Sequence, residues 1–270
     1  MMKKVSYILM LLGLVACEKQ VDWPLQENKV RPLVVAGILT DEYKVQQFSL
    51  HYPVDSLNGI PEPVSGALLR IGSIDTTLLF TETSPGIYES PVPVSPPPHR
   101  TYKLFIHHGE KQYEALAYMK EGRQFLPLIY GQAGINNWYE VKWVSPDYRF
   151  ADPAMYVLEM DWTHLPLYSD SAPEAGRAKA WYYALPTLDA SRIFAPAQEK
   201  LFFPRGTVII EKRYALTQEY AAYIRALLLE TTWTGGMLDP EHANLPTNLS
   251  EGAIGYFAAC GVTTDTIVVD

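Results

Sequence analysis

Short β-like runs separated by turns dominate the chain from Arg31 onward, and this pattern constrains the fold more than any other feature. The clearest pair is Thr101–His108 and Lys111–Tyr118. Only Gly109 and Glu110 separate these two runs, a loop length typical of a β-hairpin. The other runs of the first half are Pro32–Thr40, Val45–Val54, Ala67–Ile74 and Thr76–Thr81. Strands at this spacing over about ninety residues predict an immunoglobulin-like β-sandwich.

The second half is predicted to be a separate β domain with one helix. A polar break lies at Gly122, and 22 of the 33 aromatic residues follow it, so this half is the aromatic-rich one. Apolar residues at helical spacing follow Thr217, a residue type that caps helices, and predict one amphipathic helix over about residues 217–233. The expected fold is therefore mainly β, with a sandwich over residues 31–121 and a second β domain over residues 122–270.

The N-terminus has the pattern of a bacterial lipoprotein signal. Two lysines precede the apolar run Val5–Ala16, which is too short to span a bilayer and suits a signal peptide over residues 1–16. The run ends in Leu14-Val15-Ala16-Cys17, a lipobox, so Cys17 is predicted to receive a diacylglyceryl group. Acylation at two or more chains would anchor the protein to a lipid bilayer permanently. Residues 17–30 are polar and are predicted to form a tether.

Composition excludes several classes of protein. The chain has 22 Lys and Arg against 30 Asp and Glu, a net charge of -8, and no basic run, which argues against a nucleic-acid partner. No apolar stretch is long enough to predict a transmembrane helix. Two cysteines are too few for a disulfide scaffold or a cysteine-ligated zinc site. After lipidation of Cys17 the remaining thiol is Cys260, which lies in an apolar run and is predicted to be a core residue.

No catalytic motif occurs in the sequence. A nucleophile elbow, a zincin helix, a Walker loop and a dinucleotide-binding glycine loop are all lacking. The group most like a metal site is Asp239, Glu241 and His242 in a Gly/Pro loop, which we interpret as a solvated acidic loop because it has no EF-hand spacing. We therefore expect no catalytic residue, no metal and no cofactor. Carboxylates that could pair for glycoside hydrolysis are Asp161, Glu211, Glu219 and Glu230, although a surface location is the commoner one.

Aromatic residues of the second half allow two interpretations. On strands they commonly pack in the core, and they also dominate binding hot spots. Both interpretations stay open for Trp138, Trp143, Tyr182 and Trp233, which form the candidate binding surface. We predict that the second half carries the surface for a ligand or partner.

The order of several short motifs resembles a family of Bacteroidetes lipoproteins catalogued as domain of unknown function 4249. The matching segments are Leu14–Cys17, Leu33–Asp41, Pro63–Ala67, Pro85–Tyr88, Thr101–Leu104, Leu216–Trp233, Asn244–Asn248 and Gly255–Phe257. The resemblance covers nearly the whole chain. It implies a lipid-anchored protein of the cell outer membrane, on either its surface or its periplasmic face, that accompanies a TonB-dependent transporter.

From the anchor and the resemblance we expect a non-enzymatic binding or accessory lipoprotein. The alternative is an envelope hydrolase with a carboxylate or metal site in the second half. The resemblance also implies O-glycosylation at Asp-Ser or Asp-Thr followed by an apolar residue or threonine. The hydroxyl residues of such motifs are Ser56, Thr76, Ser171 and Thr266.

Overall fold

Strands form most of the secondary structure, and among the described residues there is one α-helix and one 3₁₀ turn. The computed structural model describes residues 31–54, 56, 58–134, 137–144, 152–168, 172–185, 200–233 and 244–270. The predicted mainly β class with a sandwich is confirmed. Residues 1–30, where the signal peptide, the lipidated Cys17 and the tether are predicted, lie outside the described residues. No helix in the described ranges has the length and apolar character needed to cross a membrane.

The first half supplies seven strands to one sheet. These are β1 (Leu33–Thr40), β2 (Gln47–His51), β3 (Leu68–Gly72), β4 (Thr77–Ser84), β5 (Ile87–Glu89), β6 (Arg100–His108) and β7 (Lys111–Met119). The predicted hairpin is confirmed, since β6 and β7 pair antiparallel from His108–Lys111 onward. A turn joins β4 to β5, with Gly86 at φ 73°.

The second half supplies the remaining elements. They are β8 (Ile129–Gln132), β9 (Trp138–Trp143), β10 (Ala154–Asp161), the 3₁₀ turn Pro173–Gly176, β11 (Arg177–Ala184), β12 (Phe202–Pro204), β13 (Val208–Ala215), α1 (Gln218–Glu230), β14 (Ala253–Cys260) and β15 (Val262–Val268). Thr217 caps α1 as predicted, because its side-chain oxygen accepts a hydrogen bond from the Tyr220 N–H at 3.2 Å.

Strand β14 belongs to the sheet of the first half, although it comes more than a hundred residues later. The sheet order is β14-β1-β2-β5-β4-β3-β6-β7, and β14 pairs in parallel with β1 over its whole length. The eight strands enclose one core, to which β14 contributes Phe257 beside Phe48, with ring centroids 5.9 Å apart. The predicted division at residue 122 therefore needs a correction, since residues 31–121 lack one strand of their own sheet and part of its core.

The side chain of Asn248 closes the sandwich by joining the two strands at its ends. Its Nδ2 donates to the Leu116 carbonyl on β7 and to the Phe257 carbonyl on β14, both at 2.8 Å. Its Oδ1 accepts from the Phe257 N–H at 3.0 Å. Ser250 adds two bonds to the backbone of Glu114 on β7. One amide thus satisfies backbone groups that would otherwise lie at open strand edges.

Strand β10 is the centre of the second half and is buried on both faces. It lies in a four-stranded sheet of order β11-β10-β13-β15. Tyr156, Leu158 and Met160 on one face pack in a core shared with the three-stranded sheet β12-β9-β8. Met155 and Val157 on the other face pack against α1. This alternation follows from the two-residue period of a strand.

Helix α1 lies between the β10 sheet and the outer face of β14. Its residues Ala221, Ile224 and Leu228 share a core with Ala258 and Cys260 of β14. The interpretation of Cys260 as a core residue is confirmed, since it is fully buried, and burial raises the pKa of its thiol. One strand therefore contributes to two cores, which joins the halves of the chain.

The glycine at position 255 permits the close parallel pairing of β14 with β1. Its φ is +94°, and a Cβ there would overlap the Val35 carbonyl oxygen. We expect Gly255→Ala to lower the free energy of unfolding by at least about 2 kcal/mol, since backbone strain and backbone overlap add. The measurement is urea denaturation followed by tryptophan fluorescence.

Gly109→Ala is the matched control for this substitution. Gly109 also has a positive φ, +59°, but a Cβ there meets nothing within 4 Å. Only the backbone strain of about 1 kcal/mol is expected. Equal losses in the two variants would show that the approach of β14 to β1 does not require a glycine.

Candidate functional site: a buried charged cluster on strand β13

Strand β13 carries two charged side chains into the protein interior. Its buried residues alternate with half-buried ones, so that Ile209, Glu211, Arg213 and Ala215 share one face. Glu211 is 0% exposed and Arg213 is 1% exposed, in contrast with the usual surface location of such residues. Ile209 of the same face packs in the core between the two sheets of the second half. Buried charges at this depth require a compensating partner.

Only one of the two carboxyl oxygens of Glu211 has a hydrogen-bond partner. Its Oε2 accepts a hydrogen bond from the Leu128 N–H at 2.9 Å, while Oε1 has no hydrogen-bond partner. Burial raises the pKa of Glu211 to about 7, against the lowering effect of the Leu128 bond. The negative charge of Asp265, directly opposite on β15, adds to the increase. Glu211 is therefore a carboxylic acid that titrates near neutral pH.

The guanidinium of Arg213 lacks partners for two of its donor atoms. Neither Nε nor Nη1 makes a hydrogen bond. Its neighbours in the sheet are Tyr156 on β10 and Thr263 on β15. A guanidinium has only donors and stays charged in proteins, so this position demands an acceptor.

The charge of Arg213 acts on the carboxylate of Asp152. Two other cations already form ion pairs with that carboxylate. Lys120 Nζ donates to Asp152 Oδ1 at 3.0 Å, and Arg123 Nη1 donates to Oδ2. The Lys120 hydrogen bond is the largest cause that lowers the pKa of Asp152, and the charge of Arg213 lowers it further without a hydrogen bond. Two cations thus bind Asp152 while the charge of a third acts on it, and the group carries excess positive charge.

The other predicted carboxylates do not join Glu211. Asp161 lies on the opposite face of the sheet, where its bonds to Thr163 and then Arg177 lower its pKa to about 2. Glu219 and Glu230 lie on α1, which packs on that opposite face. The structure instead pairs Glu211 with Asp265, a residue that the sequence analysis did not single out.

The candidate binding surface does not form one surface. Trp138 and Trp143 on β9 are both half-buried, and a shift of register between Val141 and Trp143 interrupts the two-residue period of the strand between them. Trp233 is a core residue, only 7% exposed, beside α1. Tyr182 on β11 is exposed, and the neighbouring Trp181 is 50% exposed with Lys179 Nζ 5.6 Å from its ring. Tyr182 is therefore the exposed member of this set, and Trp181 is an exposed aromatic beside it that the set did not include.

The remaining predicted sites are either exposed or lie outside the described residues. Ser56, Thr76 and Thr266 are exposed, as a modification site requires, whereas Ser171 is not among the described residues. The loop residues Asp239, Glu241 and His242 are also outside them. Across the described ranges, no three His, Cys, Asp or Glu side chains come together in a group that could hold a metal ion.

Arg213 was missed by the sequence analysis, although a signal was present. In the run Val208–Ala215 a two-residue period places Glu211 and Arg213 on the face of Ile209 and Ala215. Whether that face or the other is buried depends on the sheet that packs against it.

Comparisons with known proteins identify no family for this chain. No family model matches the chain, and no curated protein matches it. Among solved structures, the chain is similar to the FN1–FN3 domains of chicken CNTN1, with 8% sequence identity and a TM-score of 0.25. That match covers 70% of this chain and 63% of the other chain.

Proposed function

We propose that this chain is a lipid-anchored outer-membrane lipoprotein that binds a ligand or partner without catalysing a reaction. The observation that carries the proposal is the lipobox Leu14–Cys17 directly after an apolar run of signal-peptide length. The folded part supports it, since β1 begins at Leu33, a tether's length beyond Cys17. The anchor then holds a β-sandwich, together with the sheets and helix of the second half, at the membrane.

The proposed recognition surface is strand β11. It lies at one end of the four-stranded sheet in the described structure and exposes Trp181 on one face and Tyr182 on the other. Large aromatics on a rigid strand give contact area at low entropic cost, which is why they dominate binding hot spots. Lys179 beside the Trp181 ring adds a charge at the rim. We propose a TonB-dependent outer-membrane transporter as the partner, on the strength of the family resemblance.

Replacement of Cys17 by alanine is the test of the anchor. We expect Cys17→Ala to abolish labelling by an alkyne analogue of palmitate and to release the protein from the membrane fraction, because the thiol that carries the lipid is gone. Cys260→Ala is the matched control and should retain both, since that thiol is buried. Membrane-bound, labelled protein in the Cys17→Ala variant would contradict the proposal.

A hydrolase is the second candidate, and the pair Glu211 and Asp265 favours it. A carboxylic acid with a pKa of about 7 beside a second carboxylate is the arrangement of a glycosidase acid and its partner. Glu211 is fully buried, however, so a substrate reaches it only after the covering residues move. The binding function is therefore preferred.

A further inference from the structure

We propose that Arg213, with Lys120 and Arg123, forms a binding site for a small phosphate-class oxyanion. The site lies where the residues just after β7 meet β13 and β15, since a Cβ on Gly122 would meet Thr263 Oγ1 and Thr263 is the β15 neighbour of Arg213. This inference does not depend on the anchor or on the partner at β11. It starts from Arg213, which is 1% exposed and whose Nε and Nη1 lack partners.

The donor chemistry selects an anion. A buried guanidinium without partners is strongly unfavourable, and an acceptor of hydrogen bonds offsets that penalty. Charged acceptors make the strongest such bonds. Asp152 does not serve, because Lys120 and Arg123 bind its two oxygens. Arginine is well suited to phosphate and carboxylate oxygens.

The local charge selects a dianion over a monoanion. Lys120 and Arg123 bind the carboxylate of Asp152 and the charge of Arg213 acts on it without contact, so three cations face one carboxylate within this group. Glu211 and its cross-strand neighbour Asp265 lie two residues from Arg213 and Thr263 along β13 and β15. Glu211 is largely neutral below pH 7. A phosphate dianion balances the excess, whereas acetate balances half of it.

Exposure along the cluster gives the path and the size limit. The side chain of Arg123 is 54% exposed, that of Lys120 28% and that of Asp152 17%. Exposure thus falls steadily from the surface to Arg213. An anion enters beside Arg123 and is held at the buried end. Because Arg213 itself is almost inaccessible, a free inorganic phosphate fits better than a phosphoryl group on a larger molecule.

The test uses the full mature lipoprotein purified in detergent and titrated with inorganic phosphate by calorimetry, with the thermal midpoint followed in parallel. Chloride at matched ionic strength and acetate are the comparison anions. Wild type is expected to bind one phosphate, and its midpoint to rise with phosphate above the chloride series. Glycerol phosphate represents a lipid headgroup in a parallel titration. If it binds as well as inorganic phosphate, the site is assigned to the phosphoryl group of a larger ligand.

Arg213→Met is expected to lose phosphate binding altogether and to be more stable than wild type in chloride, because a buried charge is removed. Arg123→Ala keeps the core intact and should weaken phosphate binding about tenfold, the effect of one charge-assisted contact. The control is Arg177→Met, on the same sheet but paired with Asp161 at 2.9 Å, which should bind phosphate like wild type.

Three results would overturn the proposal. They are a wild-type response to phosphate no larger than to chloride, a response to acetate equal to that of phosphate, and unchanged affinity in Arg123→Ala. The last of these decides the question even if Arg213→Met fails to fold, since Arg123 is largely exposed.

Discussion

A fragment of residues 31–121 is expected to remain unfolded in isolation, although it holds seven of the eight strands of its sheet. Without β14, strand β1 loses its parallel partner and the core loses the Phe257 ring beside Phe48. Removing a buried phenylalanine ring alone costs about 3–5 kcal/mol, a large part of the 5–15 kcal/mol typical of a domain. The Asn248 bonds that join β7 to β14 are lost as well.

Amide dispersion in NMR spectra and near-UV circular dichroism measure this outcome. The control is the same fragment joined through a short Gly/Ser linker to residues 244–261, which restores β14 and Asn248. Such a linker is feasible because Leu249 pairs antiparallel with Ala115, so residue 244 lies near the end of β7. A cooperative unfolding transition in the shorter fragment would show that the sandwich is independent of β14.

The substitution Glu211→Gln is expected to raise stability above pH 7 and to leave it unchanged below pH 4.5. Burial raises the pKa of Glu211 from 4.5 to about 7, so the folded protein binds a proton more tightly than the unfolded chain does. The contribution of protonated Glu211 to the free energy of unfolding is fully present below pH 4.5 and is lost as the pH rises through 7. At 1.36 kcal/mol per pKa unit, wild type loses about 3 kcal/mol relative to the variant by pH 8.

The difference between the two urea denaturation curves, measured from pH 4 to pH 8, isolates this group because other carboxylates titrate in both proteins. Glu174→Gln is the control, since Glu174 is exposed in the 3₁₀ turn, and its difference from wild type should be flat. Parallel pH profiles for wild type and Glu211→Gln would contradict the buried titration. A hydrolase that uses Glu211 would also lose turnover in this variant, whereas a binding protein keeps its partner.

Local features of the fold were predictable where neighbouring residues decide them. The β6–β7 hairpin depends on a two-residue loop, and the start of α1 depends on the hydroxyl of Thr217. Burial of Cys260 followed from the apolar run around it. In each case the interaction spans a few positions of the chain, so the period of strand or helix and the chemistry of one turn are sufficient.

The candidate site shows where such reasoning ends. Alternation along β13 puts Glu211 and Arg213 on one face, but burial of that face depends on the sheet of β8, β9 and β12 that packs over it. The pairing of Glu211 with Asp265 joins residues more than fifty positions apart. Likewise, packing against α1 buries Trp233, while Trp181 stays exposed on β11.

Short-range patterns along the chain are enough to predict the mainly β class, the hairpin, the capped helix and the lipobox with its expected anchor at Cys17. Only the packed structure shows that β14 returns to β1, that Asn248 closes the sandwich and that two charges lie buried on β13. The physical reason is the range of the forces involved. Turn and capping preferences act between near neighbours, whereas parallel pairing and burial are selected by the packing of whole layers, to which segments far apart in the chain contribute together.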